Sequence, residues 1–262
     1  MDNRFILRSV DAGVMTLTMN RPDVLNSCNR GMVAELRHGF EGAGTDAGVR
    51  AVLLTAVGRA FCAGQDLTEA MPTGTGPAPD LGEIVNGYNG LIMAMRRLEK
   101  PIIAVVNGVA AGAGANIALA ADFVIASAEA SFIQSFVKIG LIPDNGGTFF
   151  LPRLVGLARA TRLAMLGDKV SAQQALEWGM IHDVAAPDAL LDTATALARH
   201  LALQPTRALG LIKRAFNASL GNDLEAQLAL EAKLQREAGR SADYIEGVRA
   251  FQQKRAPTYM GR

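Results

Sequence analysis

Three short stretches of this 262-residue chain carry residues that could do chemistry. The first is Gly58-Arg59-Ala60-Phe61-Cys62-Ala63-Gly64-Gln65-Asp66-Leu67, and the second is Asn107-Gly108-Val109-Ala110-Ala111-Gly112-Ala113-Gly114-Ala115. Each reads as a turn that follows a strand and leads into a helix. Small residues there let a ligand approach the backbone, and free N–H groups at a helix start attract negative charge. Side by side, the two turns would aim two N–H groups at one oxygen, the geometry of an oxyanion hole. Tight strand-to-helix packing would explain either turn taken alone. The third stretch is Gly140-Leu141-Ile142-Pro143-Asp144-Asn145-Gly146-Gly147-Thr148, an acid set between apolar residues and a double glycine that opens a helix. Asp144 has two readings: an ordinary helix N-cap, or a carboxylate in a mostly apolar pocket. In such a pocket its pKa would rise, and it could act as a base near neutral pH.

Other chemistries find little support. The chain has no G-x-S-x-G elbow, no P-loop and no H-E-x-x-H. Gly112-Ala113-Gly114 begins a dinucleotide fingerprint, but Ile117 stands at its third glycine position and no matching acidic residue follows about 20 residues on. Cys28 and Cys62 fit no paired ligand spacing and read as free thiols of a reducing cytosol. His38, His182 and His200 read as surface or capping residues, so no metal site is expected. With 26 basic and 25 acidic residues the net charge is +1, which argues against a duplex nucleic-acid binder. Aromatics at 5% argue against a base-stacking platform. The polar start, Met1-Asp2-Asn3-Arg4, has no signal-peptide character. The apolar stretch from Lys100 to Asp122 is broken by Pro101, Asn107, Asn116 and several glycines. It reads as a strand, a turn and a buried helix, so no membrane partner and a cytoplasmic location are expected.

The elements that must position these stretches can be read in outline. Phe5 to Val10 and Val14 to Met19 form a hairpin across Asp11-Ala12-Gly13. Asn29 caps a helix that carries Met32, Val33, Leu36 and Phe40 on one face. Val49 to Thr55, Ile102 to Val106 and Phe123 to Ala126 are apolar runs typical of strands buried on both faces. Between the first two, Leu81, Ile84, Val85, Tyr88, Leu91, Ile92 and Met95 make an amphipathic helix. Strand and helix alternate as in a parallel sheet with crossovers, an α/β class. Residues 71 to 80 read as a mobile loop. After about residue 148 the pattern is mostly helical, with a capping box at Ser171 and Gln174, helix starts near Pro187 and Pro205, and a cap at Ser241. The layout is a core over residues 1–200 and a helical tail over residues 201–262, whose apolar faces should pack on the core or on a neighbouring subunit.

Together these motifs resemble the crotonase superfamily, the enoyl-CoA hydratase/isomerase family. The likeness runs from Asn20-Arg21-Pro22 and Leu25-Asn26-Ser27, through Phe61-Cys62-Ala63-Gly64-Gln65-Asp66-Leu67 and the Asn107-Gly108 turn, to Phe251-Gln252-Gln253-Lys254-Arg255-Ala256-Pro257. It implies a crotonase-like spiral of ββα turns with a helical C-terminal trimerisation region. It also implies an acyl-CoA thioester as substrate, with no separate cofactor because CoA is part of the substrate. By the same resemblance the N–H groups of Ala63 and Ala113 are the oxyanion-hole donors. Leu25, Gln65, Asp66 and Leu67 match the region that holds the CoA adenine and pantetheine, and Gly112 is a further substrate-binding position. Phe251 and Lys254 match tail positions that reach CoA, in many members from a neighbouring subunit. The assembly implied is a homotrimer or dimer of trimers, with a second crotonase-family hydratase as a further partner.

Departures from the hydratase pattern decide the expected reaction. Hydratases carry two glutamates that position and activate water. The matching positions here are Asn116 and Phe136, and neither side chain is a general base. Asp144 stands where isomerase-type members place their acid. The stretches from Thr75 to Gly82, Leu141 to Asp144 and Gly239 to Tyr244 look like members of the family that isomerise a ring-1,2-epoxyphenylacetyl-CoA in phenylacetate degradation. The resemblance therefore implies conversion of that epoxide to an oxepin-CoA, a shift of a 3-enoyl-CoA double bond to 2-enoyl-CoA, or both, with Asp144 as acid and base. The alternatives are a hydratase or a dehalogenase of the same fold, or a non-catalytic acyl-CoA-binding subunit of a complex.

Overall fold

The computed structural model describes residues 4–71 and 79–262. Most of the expected loop over 71 to 80, and the first half of the Thr75 to Gly82 stretch, therefore fall outside the described residues. The chain opens with the hairpin β1 (Ile6–Asp11) and β2 (Val14–Met19), joined through Ala12 and Gly13, both at positive φ. Helix α1 (Arg30–Thr45) starts where Asn29 Oδ1 accepts the N–H of Met32 at 2.8 Å, and it buries Met32, Val33, Leu36 and Phe40 as the spacing requires. Then come β3 (Ala51–Ala56), β4 (Ala60–Cys62), α2 (Leu81–Arg97), β5 (Ile102–Val106), β6 (Val109–Ala111), α3 (Ala113–Leu119), β7 (Phe123–Ser127) and β8 (Ser131–Ile133). The rest is α4 (Gly147–Val155), α5 (Leu157–Leu166), β9 (Lys169–Ser171), α6 (Ala172–Glu177), β10 (Asp183–Ala185), α7 (Leu190–Ala202), α8 (Thr206–Ser219), α9 (Leu224–Ala238) and α10 (Ala242–Gln252).

The strands form two sheets, ordered β1-β2-β3-β5-β7-β10 and β4-β6-β8-β9. Apart from the β1–β2 and β8–β9 pairs, all neighbours run parallel. Each successive β pair, β3–β4, β5–β6 and β7–β8, places one strand in each sheet, which is the spiral of ββα turns. The central large-sheet strands β3, β5 and β7 are buried on both faces, and alternate residues serve different cores. Val52, Leu54, Ile102, Ala104 and Val106 face the main core with α1 and α2, whereas Ala51, Leu53, Ile103 and Val105 pack with Leu190, Ala194, Ala198 and Leu201 of α7.

The helical tail is pinned by buried charge. Lys213 of α8 donates to Asp122 at 2.6 Å, and Arg50 donates to Thr206 at 2.9 Å and to Tyr259 O at 3.0 Å. Ser241 caps α10 by accepting the Tyr244 N–H at 3.1 Å. Three sequence expectations need correction. The first glycine-containing turn holds the short strand β4 and ends in a 3-10 turn over Leu67–Glu69, so it leads into no α-helix. Only half of the capping box forms: Ser171 Oγ accepts the Gln174 N–H at 3.2 Å without a return bond from the Gln174 side chain. Asp144 caps no helix, because Gly146, with φ of 75°, is the residue that precedes α4. No described helix is long and apolar enough to cross a membrane.

Candidate active site

The segment Leu25 to Cys28 builds one wall of the site. Leu25 and Asn26 both sit in the left-handed region, at φ of 53° and 55°. Asn26 is buried and ties this bend to the first turn. Its Nδ2 donates to Val57 O and Ala60 O at 2.9 Å each, and its Oδ1 accepts the Arg21 N–H at 2.8 Å. The chain then turns at Gly64, with φ of 106°, and Gln65 pairs with Cys28 in a parallel bridge. Cys28 N donates to Gly64 O at 2.7 Å, and Asp66 N donates to Cys28 O at 2.8 Å.

This pairing corrects one expected donor. The Ala63 N–H donates to Leu25 O at 3.0 Å, so it is not free to hold an oxyanion. In an extended segment successive N–H groups point to opposite sides. The Asp66 N–H faces Cys28, so the Gln65 N–H faces away from it, and that N–H has no partner among the described residues. The second turn packs against this segment. A Cβ placed on Gly64 would sit 3.0 Å from Ala111 O and 3.8 Å from Ala113 N, which shows how closely the turns abut. Gly114 packs on Cys62, where an added Cβ would lie 2.4 Å from the Cys62 carbonyl oxygen. Gly112, at φ of 50°, donates to Ile133 O at 2.8 Å and turns the chain into α3. As the first residue of α3, Ala113 has an N–H without an intrahelical acceptor. Gln65 and Ala113 thus present N–H groups without a protein acceptor among the described residues where the two turns meet.

Asp144 enters from the loop before α4. Its backbone oxygen accepts the Asn116 Nδ2 at 2.8 Å and the Gly147 N–H at 2.8 Å. Its carboxylate accepts the Asn145 Nδ2 at 2.6 Å. Burial pushes its pKa up to about 6, and the Asn145 hydrogen bond opposes that shift only in part. Phe136 closes the same side: an added Cβ on Gly112 would lie 3.7 Å from its ring. Tyr88 of α2 donates to Cys28 O at 3.0 Å, and burial, with the charges of Cys28, Cys62 and Asp144 nearby, raises its pKa far above the ordinary range. The structure thus brings Gly112, Ala113, Gln65, Asn116, Phe136 and Asp144 together. A polarised thioester oxygen in the hole and a base beside it suit proton transfer at the carbon next to the carbonyl.

The remaining expected residues lie outside that cluster. Leu25 meets the first turn through its carbonyl oxygen, which accepts the Ala63 N–H, and Leu67 is 47% exposed at the start of the 3-10 turn. The Asp66 carboxylate pairs with Arg21 at 2.9 Å and accepts from the Thr68 hydroxyl at 2.7 Å. Burial opposes its ionisation, but the Thr68 and Arg21 hydrogen bonds win and hold it below the usual carboxylate range. Its charge is used to shape the turn. Phe251 lies in the last turn of α10 and Lys254 just beyond it, and the start of that helix is tied to the chain end: Asp243 accepts the N–H groups of Met260 and Gly261 at 2.7 and 2.8 Å. The neighbouring Tyr259 is held by Arg50, at the N-terminal end of β3, whereas the site lies beyond the C-terminal ends of the strands. Among the described residues, no hydrogen bond joins Phe251 or Lys254 to the site within one chain.

An enoyl-CoA hydratase/isomerase family model matches residues 9–262. A 1,2-epoxyphenylacetyl-CoA isomerase of Escherichia coli is 55% identical over 259 residues, covering 98% of this chain and 99% of that protein. A trans-2-decenoyl-acyl-carrier-protein isomerase of Streptococcus mutans is 38% identical over the full length of both chains, 100% of each. A crystal structure of an enoyl-CoA hydratase from Bacillus anthracis superposes with a TM-score of 0.93 at 32% identity, covering 99% of this chain and 100% of that one.

Proposed function

The chain belongs to the enoyl-CoA hydratase/isomerase family, and from that premise we propose that it is an acyl-CoA isomerase with Asp144 as its single acid–base group. The observation that carries this reading is one raised carboxylate beside two free N–H groups, with amide and phenyl side chains at both water-activating positions. Asp144 removes a proton from C2 of the thioester. The electron pair moves onto the carbonyl oxygen, and the Gln65 and Ala113 N–H groups hold the resulting enolate. The protonated Asp144 then returns the same proton to C4 of a 3-enoyl chain, giving the conjugated 2-enoyl product. A ring-1,2-epoxyphenylacetyl thioester offers the same acidic C2 position. Its epoxide can open electrocyclically to an oxepin without a protein group, which leaves a proton transfer between C2 and the ring for Asp144. The likeness to the E. coli isomerase favours this aryl substrate. Mass spectrometry and NMR of the products from this epoxide and from a 3-enoyl-CoA test the reading. Recovery of both substrates unchanged would overturn it.

Water addition should be nearly absent. Asn116 spends both ends of its amide on protein partners and Phe136 offers a phenyl ring. Crotonyl-CoA absorbance should therefore decay on the purified protein at least ~10² slower than isomerase substrates turn over, the worth of a missing positioned base. Rapid formation of 3-hydroxybutyryl-CoA would refute the assignment.

The tail supports a homotrimer or a dimer of trimers. Phe251 is 86% exposed, Leu224 73%, and Ile245 and Leu228 about half in a single chain, an apolar surface that a neighbouring copy would cover. In that assembly Lys254 lies near the phosphates of CoA. Lys254→Ala should raise KM several-fold with little change in kcat, because the contact is equal in ground and transition states. The effect should shrink as salt rises. Light scattering should return a trimer mass or twice that. A second crotonase-family hydratase and a cytoplasmic location fit the same reading.

A further inference from the structure

Asn116 lies on α3 one turn beyond the oxyanion donor Ala113, and it is fully buried. Both ends of its amide are engaged. Nδ2 donates to the Asp144 carbonyl oxygen at 2.8 Å, and Oδ1 accepts the Gln134 Nε2 at 2.8 Å. Gln134 is itself 2% exposed and precedes the 3-10 turn, Ser135–Ile139, that carries Phe136. The two amides fix each other's orientation: with Gln134 donating, Asn116 must present its own donor to Asp144. Space for this contact is made by Gly147, where a Cβ would lie 2.3 Å from Asn116 Nδ2. The Gly147 N–H donates to the same carbonyl, so the main chain of Asp144 is held from two directions. Its carboxylate, by contrast, has one described protein partner, Asn145. The base is thus anchored through its backbone and left open at its reacting end.

We propose that Asn116 and Gln134 act as one positioning unit for the isomerase reaction, holding the Asp144 carboxylate at the proton it transfers. Helix α3 then serves both halves of the site, with Ala113 at the enolate oxygen and Asn116 behind the base. A small misplacement of a catalytic group can cost about 10²-fold in rate, so the position that carries a glutamate in the hydratase pattern is here given over to precision. This inference rests on Asp144 being the base. The ionisable group from another element that feels the Asp144 charge is Tyr88 of α2, kept neutral by burial.

The test uses the intact protein and two kinds of readout. Asn116→Leu keeps the shape and removes both hydrogen bonds; Gln134→Met removes only the orienting donor. Expected are a 10- to 100-fold loss of kcat for Asn116→Leu, a smaller loss for Gln134→Met, KM within about threefold, and a double variant no worse than Asn116→Leu alone, as for residues that act as a unit. Asn116→Asp is the conservative variant and guards against a failure of the leucine protein to fold. While protonated, the carboxyl group introduced by Asn116→Asp can donate to the same carbonyl; once ionised it cannot. The kcat of that variant should therefore show a falling alkaline limb that the parent protein lacks. Amide exchange at Gly147, measured without substrate, should accelerate at least tenfold in Asn116→Leu. That readout stays valid whatever substrate the enzyme takes, so a protein inactive on every enoyl-CoA would sink the proposed reaction without touching the geometry. A folded Asn116→Leu protein with parental kcat, losses that multiply in the double variant, or an Asn116→Asp profile identical to the parent would each overturn the positioning role.

Discussion

Asp144→Asn should lower kcat on 3-enoyl-CoA or ring-epoxide substrates by at least ~10², the scale of a positioned acid–base group. The asparagine keeps the size and the carbonyl contacts of the native residue, so CoA binding and the fold should survive. In the parent enzyme the base must be ionised, and burial places its pKa at about 6. Activity should therefore rise with pH through about 6 and level off above it. The same burial makes a stability prediction of opposite sign. The folded pKa lies above the unfolded value of 3.8, so the native state binds the proton more tightly, and ionisation in the fold costs stability as pH rises through about 6. Removing that charge should stabilise the protein above this range by about 1–2 kcal/mol. Below about pH 4, where both states are protonated, the gain should vanish. Thermal unfolding of the two proteins at pH 3.5 and pH 8, beside their kinetics, checks both parts. Near-normal turnover by Asp144→Asn, or no difference in melting at pH 8, contradicts the assigned environment.

Ala113→Pro should cost ~10²–10³ in kcat, the worth of one oxyanion-hole donor. The site is unusually favourable for a clean deletion. Ala113 is the first residue of α3, where proline is well tolerated because its missing N–H has no intrahelical acceptor. The preceding residue is Gly112, which lacks the Cβ that proline would crowd. Both kcat and kcat/KM should fall together, since the hydrogen bond strengthens as the enolate forms. Ala113→Ser keeps the donor and should retain most activity. Circular dichroism must show an unchanged helix content; a folded Ala113→Pro enzyme at full rate would remove this N–H from the mechanism.

Much of the scaffold was legible because its signals are local. The run Ile102 to Val106 announces a strand covered on both faces, and the stripe from Leu81 to Met95 announces its crossover helix. Asn29 and Ser241 cap helices through their own nearby N–H groups, so sequence distance and contact distance agree. Asp144 stood out for a similar reason: proline before it and two glycines after it leave one ionisable side chain in an apolar turn. The three-residue strands β4 and β6 are too short to show a period, and only the second sheet that they build separates them from the turns around them.

The chemistry of the site divides along the same line. Sequence alone determined that two small-residue turns and one lone carboxylate are present, and that the hydratase positions hold an amide and a phenyl ring. Tertiary structure decided which N–H groups are free. Ala63 and Gln65 stand two residues apart on either side of Gly64, whose φ of 106° breaks the extended course, and the Leu25–Cys28 segment separates them: Leu25 takes the N–H of Ala63, while the N–H of Gln65 faces away from Cys28. It also decided the role of Asn116, which lies 28 residues from Asp144 and 18 from Gln134. Hydrogen bonds at such separations are made by the packing of α3 against the loop before α4, and no pattern along the chain encodes them.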